Sequence, residues 1–234
     1  MSTSNEQRRP NWTFETALHG IARAILPFFI IRQITPIYYW LNRYRFRIFP
    51  RPYVPQGATR AHARRLREGF FEKYCKGDGI DIGYGGDPVT PDVRGWDIED
   101  GDAHYMAGIA DASYDFVHSS QALEHFQDPA LAVTNWWRIL KPGGFLIVSV
   151  PDRDLFEKKR TLPSRFSADH KHFFLLDRDD PPDTIGLVPL IKRVCPNAEI
   201  IEARQILDGY TITDPYKHAD GEFCDEVIAR KPAA

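Results

Sequence analysis

The sequence predicts an α/β fold: a mostly parallel sheet with helices on both faces, its first helix shortened or missing, preceded by a helical N-terminal extension. Two observations carry this. Beyond Gly77, six short apolar runs alternate with helical stretches and glycine turns: "GIDIG" at 79–83, "VRGWDI" at 93–98, "YDFVHSS" at 114–120, "GFLIVSV" at 144–150, "AEIIEA" at 198–203 and "FCDEVIAR" at 223–230. Strands alternating with helices build a parallel sheet covered on both faces. The first run also ends in a glycine-rich turn, "GIDIGYGGDP", that meets Pro88 at once, and only about nine residues, Asp87 to Gly95, separate it from the second run.

The elements follow in chain order. Residues 1–76 form the extension, basic and rich in aromatics, and residues 77–234 the main domain. Between Thr13 and Phe49, Pro27 and Pro36 divide an apolar, arginine-studded segment into short helical pieces. Residues 59–76, "TRAHARRLREGFFEKYCK", read as one amphipathic helix leading into the first strand. "DPALAVTNWWRILK" carries apolar residues at helical spacing, with Asp128 as N-cap, Pro129 in the first turn and "PGG" as the stop. The charged stretch from Asp152 to Asp183 is long enough to suggest an active-site flap rather than a compact connection.

Composition narrows the class. The chain has 234 residues, 43% of them hydrophobic and 26% charged, as a soluble globular protein does. Its formal charge of -2 conceals a net of +10 over residues 1–76 and -12 over the remainder. The basic segment either docks on the acidic one or attracts an anionic partner. Over residues 13–51 the alternatives are a helical cap packed on the main domain, over its active site, or an interfacial segment whose arginines meet lipid phosphates in peripheral contact with a membrane surface. Three scattered cysteines without ligand spacing argue for a reduced compartment and against structural zinc. The apolar run at 24–31 is too short to span a bilayer. Neither a signal peptide nor a membrane span is expected, and the protein is placed in the cytoplasm.

A glycine turn at the carboxyl end of a first parallel strand is where open α/β sheets bind ligands. Gly83 and Gly85 let the backbone approach a flat, polar molecule. Asp97 lies 14 residues beyond Gly83, at the end of the second strand, where an acid can accept both ribose hydroxyls.

Four blocks in order, "IDIGYGGDP", "GWDIEDGDA", "SYDFVHSSQALEHFQDP" and "WRILKPGGFLIVSVPD", together resemble the class I S-adenosylmethionine-dependent methyltransferases, in particular the type 11 branch. The resemblance covers residues 79–152 and implies a Rossmann-like sheet with S-adenosylmethionine as cofactor. It implies that Asp81, Gly83, Tyr84 and Gly85 line the amino-acid end of the cofactor. Asp97 would bind the ribose, Ile98 would pack on the adenine, and Asp102 with Ala103 would meet the adenine amino group. Ser119 and Ser120 would border the methyl. This cofactor has no pyrophosphate, so the shortened first helix is tolerable here and disfavours a dinucleotide.

Methyl transfer to a hydroxyl needs alignment and a base. His170, His125 and His172 are the candidate bases. His125 stands in "LEH" just after the predicted strand at 114–120, and the other two in "DHKHFF" after the predicted strand at 144–150. A metal site built from His170, His172 and Asp169 lacks an obvious fourth ligand, so no metal is expected. The expected reaction is O-methylation of a small-molecule, saccharide or lipid-linked hydroxyl. Two alternatives stand beside it. One is a nucleic-acid methyltransferase using the basic segment, disfavoured because "SSQA" replaces the motif that base-modifying enzymes carry; the other is a non-catalytic cofactor-binding protein.

Overall fold

The computed structural model describes residues 57–233, with side chains from residue 59 onward. The helical pieces and membrane contact expected of residues 13–51 lie outside the described residues. Among the described residues, no helix is long and apolar enough to cross a membrane.

A six-stranded sheet forms the body. Its first four strands are β1 (Gly79–Ile82), β2 (Arg94–Trp96), β3 (Tyr114–Ser120) and β4 (Leu140–Pro151). A separate pair follows, β5 (Phe173–Leu175) and β6 (Thr184–Gly186), before β7 (Glu199–Ile206) and β8 (Cys224–Arg230) complete the main sheet. In space that sheet runs β2-β1-β3-β4-β8-β7. β1 to β4 pair in parallel, and β8 lies antiparallel between β4 and β7. This is the mostly parallel, Rossmann-like sheet that the alternation predicts. No helix joins β1 to β2, since residues 83–93 form turns.

The face without that helix is covered from the N-terminal side. α1 (Gly57–Arg67) and α2 (Phe70–Tyr74) precede β1 and belong to the same compact unit as the sheet. Phe70 packs there with Val89, Phe116, Ile147 and Ile228. Burying this one ring contributes about 1.5–3 kcal/mol. The single helix expected over 59–76 is thus two, because Gly69 takes the left-handed conformation at φ 63° and turns the chain between them.

α3 (Pro129–Ile139) and α4 (Leu187–Val194) cover the other face. Asp128 caps α3 by accepting from Leu131 N at 2.9 Å. Ala132, Val133, Trp136 and Ile139 sink into the main core beside Leu187, Leu190 and Ile191. The "PGG" stop falls inside β4, where pairing with β3 jumps from Tyr114↔Leu140 to Phe116↔Phe145. The stretch expected to be a flap is anchored. Arg153–Glu157 forms one π-helical turn, and β5 pairs in parallel with β6. Its charges neutralise one another: the buried Arg153 bonds Asp180 at 2.6 Å and Thr184 Oγ1 at 3.2 Å.

Candidate active site

The glycine turn continues β1 across the end of the sheet. Gly83 sits at φ 72° and Gly85 at φ 60°. Gly83 N donates to Trp96 O at 2.8 Å, tying the turn to β2, and Asp87 N closes it on Tyr84 O at 2.9 Å. A Cβ added to Gly83 would overlap Ala122 Cβ, so both the dihedral and the space exclude a side chain. Thr59, in α1, holds the turn from below through two hydrogen bonds to Asp87.

Above the turn opens a cavity of about 870 Å³ at the carboxyl ends of β1, β2 and β3, within the size range of cofactor pockets. Its wall contains eight of the predicted cofactor residues: Asp81, Gly83, Tyr84, Gly85, Asp97, Ile98, Asp102 and Ala103. Ile98 is 49% exposed, an apolar group left open beside the cavity. The loop carrying Asp102 and Ala103 is fixed by α3, whose Trp136 indole donates to Ala103 O at 3.0 Å and whose Asn135 amide donates to His104 O at 2.8 Å. Ser119 is placed elsewhere. Side chains alternate along a strand, so Ser119 turns inward and its hydroxyl donates to Ile82 O at 3.0 Å, while Ser120 lines the cavity.

Asp81 is buried at the cavity floor. It accepts from Val89 N at 2.7 Å, and its other oxygen lies 2.6 Å from His118 Nδ1. His118 Nε2 faces Arg65 Nη1 at 3.1 Å. A guanidinium only donates, so Nε2 must accept, and His118 carries its proton on Nδ1 toward Asp81. Arg65 continues to Glu226 at 2.8 Å, and Arg64 bonds both Glu226 and Glu222. This buried chain links α1 to the cavity floor, and no sequence motif announces it. The one signal for it is the opposite charge of the two segments, which for Arg64 and Arg65 resolves as docking.

A second cavity, of about 230 Å³, adjoins the first. Ser120, Gln121 and His125 line both. Its far wall is aromatic: Phe156 stacks on Phe223 with ring centroids 5.0 Å apart, and His218 stands edge-on to Phe156 at 5.0 Å. The predicted histidines divide here. His125 faces both cavities, His170 lines the second only, and His172 lines neither, its Nε2 lying 3.3 Å from Gln127 O. Burial works against the charged form of His125, but Asp169, with Oδ2 3.1 Å from Nδ1, and Glu124 outweigh it and hold the imidazolium up to about 8. The same pairing with His125 holds the Asp169 carboxyl well below its usual range. Burial pushes the Glu124 carboxyl up, against the pull of both histidines. Glu157, which no motif marks, receives His170 Nδ1 at 2.7 Å.

Residues 81–148 match the family model described as a methyltransferase domain, of the type 11 branch. This segment is a methyltransferase domain. A protein of Mycolicibacterium smegmatis named "Probable S-adenosylmethionine-dependent methyltransferase" is 42% identical over 55 residues, covering 24% of this chain and 21% of its own. A protein from transposon TN4556 of Streptomyces fradiae is 35% identical over 65 residues, 28% of this chain and 19% of its own. The match thus spans about a fifth of each relative's length. A solved methyltransferase from Methanosarcina mazei is 15% identical, covers 70% of this chain and 98% of its own, and superposes with a TM-score of 0.44. The matched segment takes in the end of β1, all of β2, β3 and α3, and most of β4, and so holds the first cavity almost entirely.

Proposed function

We propose that the chain transfers a methyl group from S-adenosylmethionine to a hydroxyl of a small-molecule, saccharide or lipid-linked acceptor. The observation that carries this reading is the meeting of two cavities at Ser120, Gln121 and His125: a large one over the glycine turn and a small, partly aromatic one on its far side. A two-substrate displacement needs such a junction, with the reacting atoms roughly 3–3.5 Å apart and aligned.

The residues present suit the cofactor. Gly83 leaves backbone where a Cβ could not stand, and Asp97 occupies the end of β2. Asp81, Gly83, Tyr84 and Gly85 would hold its amino-acid end, Asp97 its ribose, and Ile98, Asp102 and Ala103 its adenine. Ser120, rather than Ser119, would border the junction. When bound, S-adenosylmethionine supplies an electrophilic methyl group. The chain supplies the rest. The buried Asp81–His118–Arg65 series fixes the floor, and the aromatic wall of Phe156, Phe223 and His218 seats an acceptor ring. His125 and His170 form the side where the hydroxyl proton is taken up; His172 is too remote.

Incubating the purified chain with S-adenosylmethionine and a panel of sugar, phenol and lipid-linked alcohols tests this. Mass spectrometry should show an acceptor heavier by one CH₂, with the new ether on oxygen. Cofactor binding without product on any acceptor favours the non-catalytic alternative, and methylated RNA or DNA in a parallel reaction favours the nucleic-acid one.

A further inference from the structure

The wall of the second cavity contains a group of side chains whose arrangement a proton-accepting histidine does not require. Glu124, His125 and His170 each direct one ligand-type atom into a common space, all within 4.8 Å of one another. Glu124 Oε1 lies 3.8 Å from His125 Nε2 and 3.9 Å from His170 Nε2. Two donors each about 2.1 Å from a cation stand roughly 3.0–3.4 Å apart. The two Glu124–histidine separations exceed this by about half an ångström, and the widest separation in the group, within 4.8 Å, by up to roughly 1.4–1.8 Å, so the imidazoles would close on the ion.

Three further features single this group out. His170 is backed at Nδ1 by Glu157 at 2.7 Å, while His125 Nδ1 lies 3.1 Å from Asp169, an ion-pair contact without hydrogen-bond geometry. For His170 that is the outer support that fixes a metal-ligating imidazole with its Nε2 lone pair forward. Glu124 is 2% exposed, yet its Oε2 has no hydrogen-bond partner, and a buried carboxylate oxygen left unsatisfied is costly. Finally, Glu124, Glu157 and Asp169 bring three carboxylates around two imidazoles, and no Lys or Arg forms an ion pair with any of the three among the described residues. The chain holds the two halves together through its backbone: Lys171 N and His172 N both donate to Glu124 O.

We propose that Glu124, His125 and His170 form a site for a first-row divalent cation, open on the side of the second cavity. Two imidazoles and one carboxylate with free positions suit this class of ion. The site stands on these residues alone. Its role rests on the methyl-transfer reading: the cation would hold the acceptor oxygen at the junction and lower its pKa, so that the hydroxyl proton is released to water on the open side of the cavity and the histidines act as ligands in place of free bases.

The test is calorimetric titration of the EDTA-treated full chain with Mn²⁺ and, separately, with Zn²⁺. The expected result is saturable binding near one ion per chain for at least one of them. Glu124→Gln and His170→Ala should each weaken it at least tenfold, and Glu157→Gln by about 10- to 100-fold. Melting curves of the metal-free variants identify any that fails to fold, and the wild-type titration decides without them. No binding to the wild type, or binding unchanged by Glu124→Gln and His170→Ala, overturns the proposal. Titration of the same sample with S-adenosylmethionine separates the two readings. Cation binding without cofactor binding keeps the site and removes methyl transfer, and the converse removes the site alone.

Discussion

At Gly83 the turn depends on one missing atom. Its φ of 72° is a conformation that L side chains avoid, and an added Cβ would overlap that of Ala122. Gly86, at φ 86°, has the same dihedral difficulty but nothing within 4 Å of its added Cβ. Gly83→Ala should therefore cost more than Gly86→Ala, the strained dihedral alone contributing about 1–3 kcal/mol, and thermal melts of the two variants compare them directly. Equal losses would mean that the contact with Ala122 relaxes freely. Gly83 is legible in the sequence because a glycine after a buried strand has few other uses. His118, only one strand away, is not. Its role depends on Arg65 and Asp81, residues 53 and 37 positions off, and no local pattern encodes such pairings. Ser119 shows the limit in small: a shift of one residue along a strand exchanges cavity for core.

At the scale of the element, β8 places two carboxyls side by side on opposite faces with opposite consequences. Asp225 is buried and has Asp152 beside it, which together raise its pKa to about 9. In the unfolded chain it ionises near its ordinary value of 3.8, so between these values the unfolded state holds fewer protons, and stability falls as pH rises. Asp225→Asn should remove that loss and raise the melting temperature more at pH 8 than at pH 5. Glu226 is the reverse case. Burial opposes its charge, but Arg65 and Arg64 outweigh that and hold it at about 2 against 4.5. Its contribution, roughly 3 kcal/mol by linkage, is present above pH 4.5 and lost as pH falls toward 2. Glu226→Gln should flatten the acid limb of a stability-against-pH curve and lower stability at pH 7. Unchanged slopes in both variants would show that neither group is coupled to folding as its surroundings imply.

Elements differ in how well the sequence announces them. β3 is predicted at 114–120 and found there, because its apolar run is bounded by polar turns. The break between α1 and α2 is hidden because Gly69 is also tolerated inside helices. The π-helical turn at 153–157 escapes notice because its side chains are charged. Arg153 is covered by Asp180, 27 residues on, and Glu157 by His170, 13 residues on.

At the scale of the whole molecule, the basic-then-acidic division of the chain becomes partly an internal fastening. Arg64 and Arg65 meet Glu222 and Glu226 in the interior, so these two arginines are not available to a phosphate backbone. With α1 and α2 over the face that lacks a β1–β2 helix, the glycine turn is supported from below and open above. On the methyl-transfer reading the cavity over that turn holds the cofactor, with Asp97 at its ribose end. Calorimetric titration of the full chain with S-adenosylmethionine tests this most directly. Saturable binding of one cofactor per chain is expected, weakened by Asp97→Ala roughly 10- to 100-fold, the worth of hydrogen bonds to a charged group. Absence of binding to the folded protein, or an affinity that Asp97→Ala leaves unchanged, would contradict it.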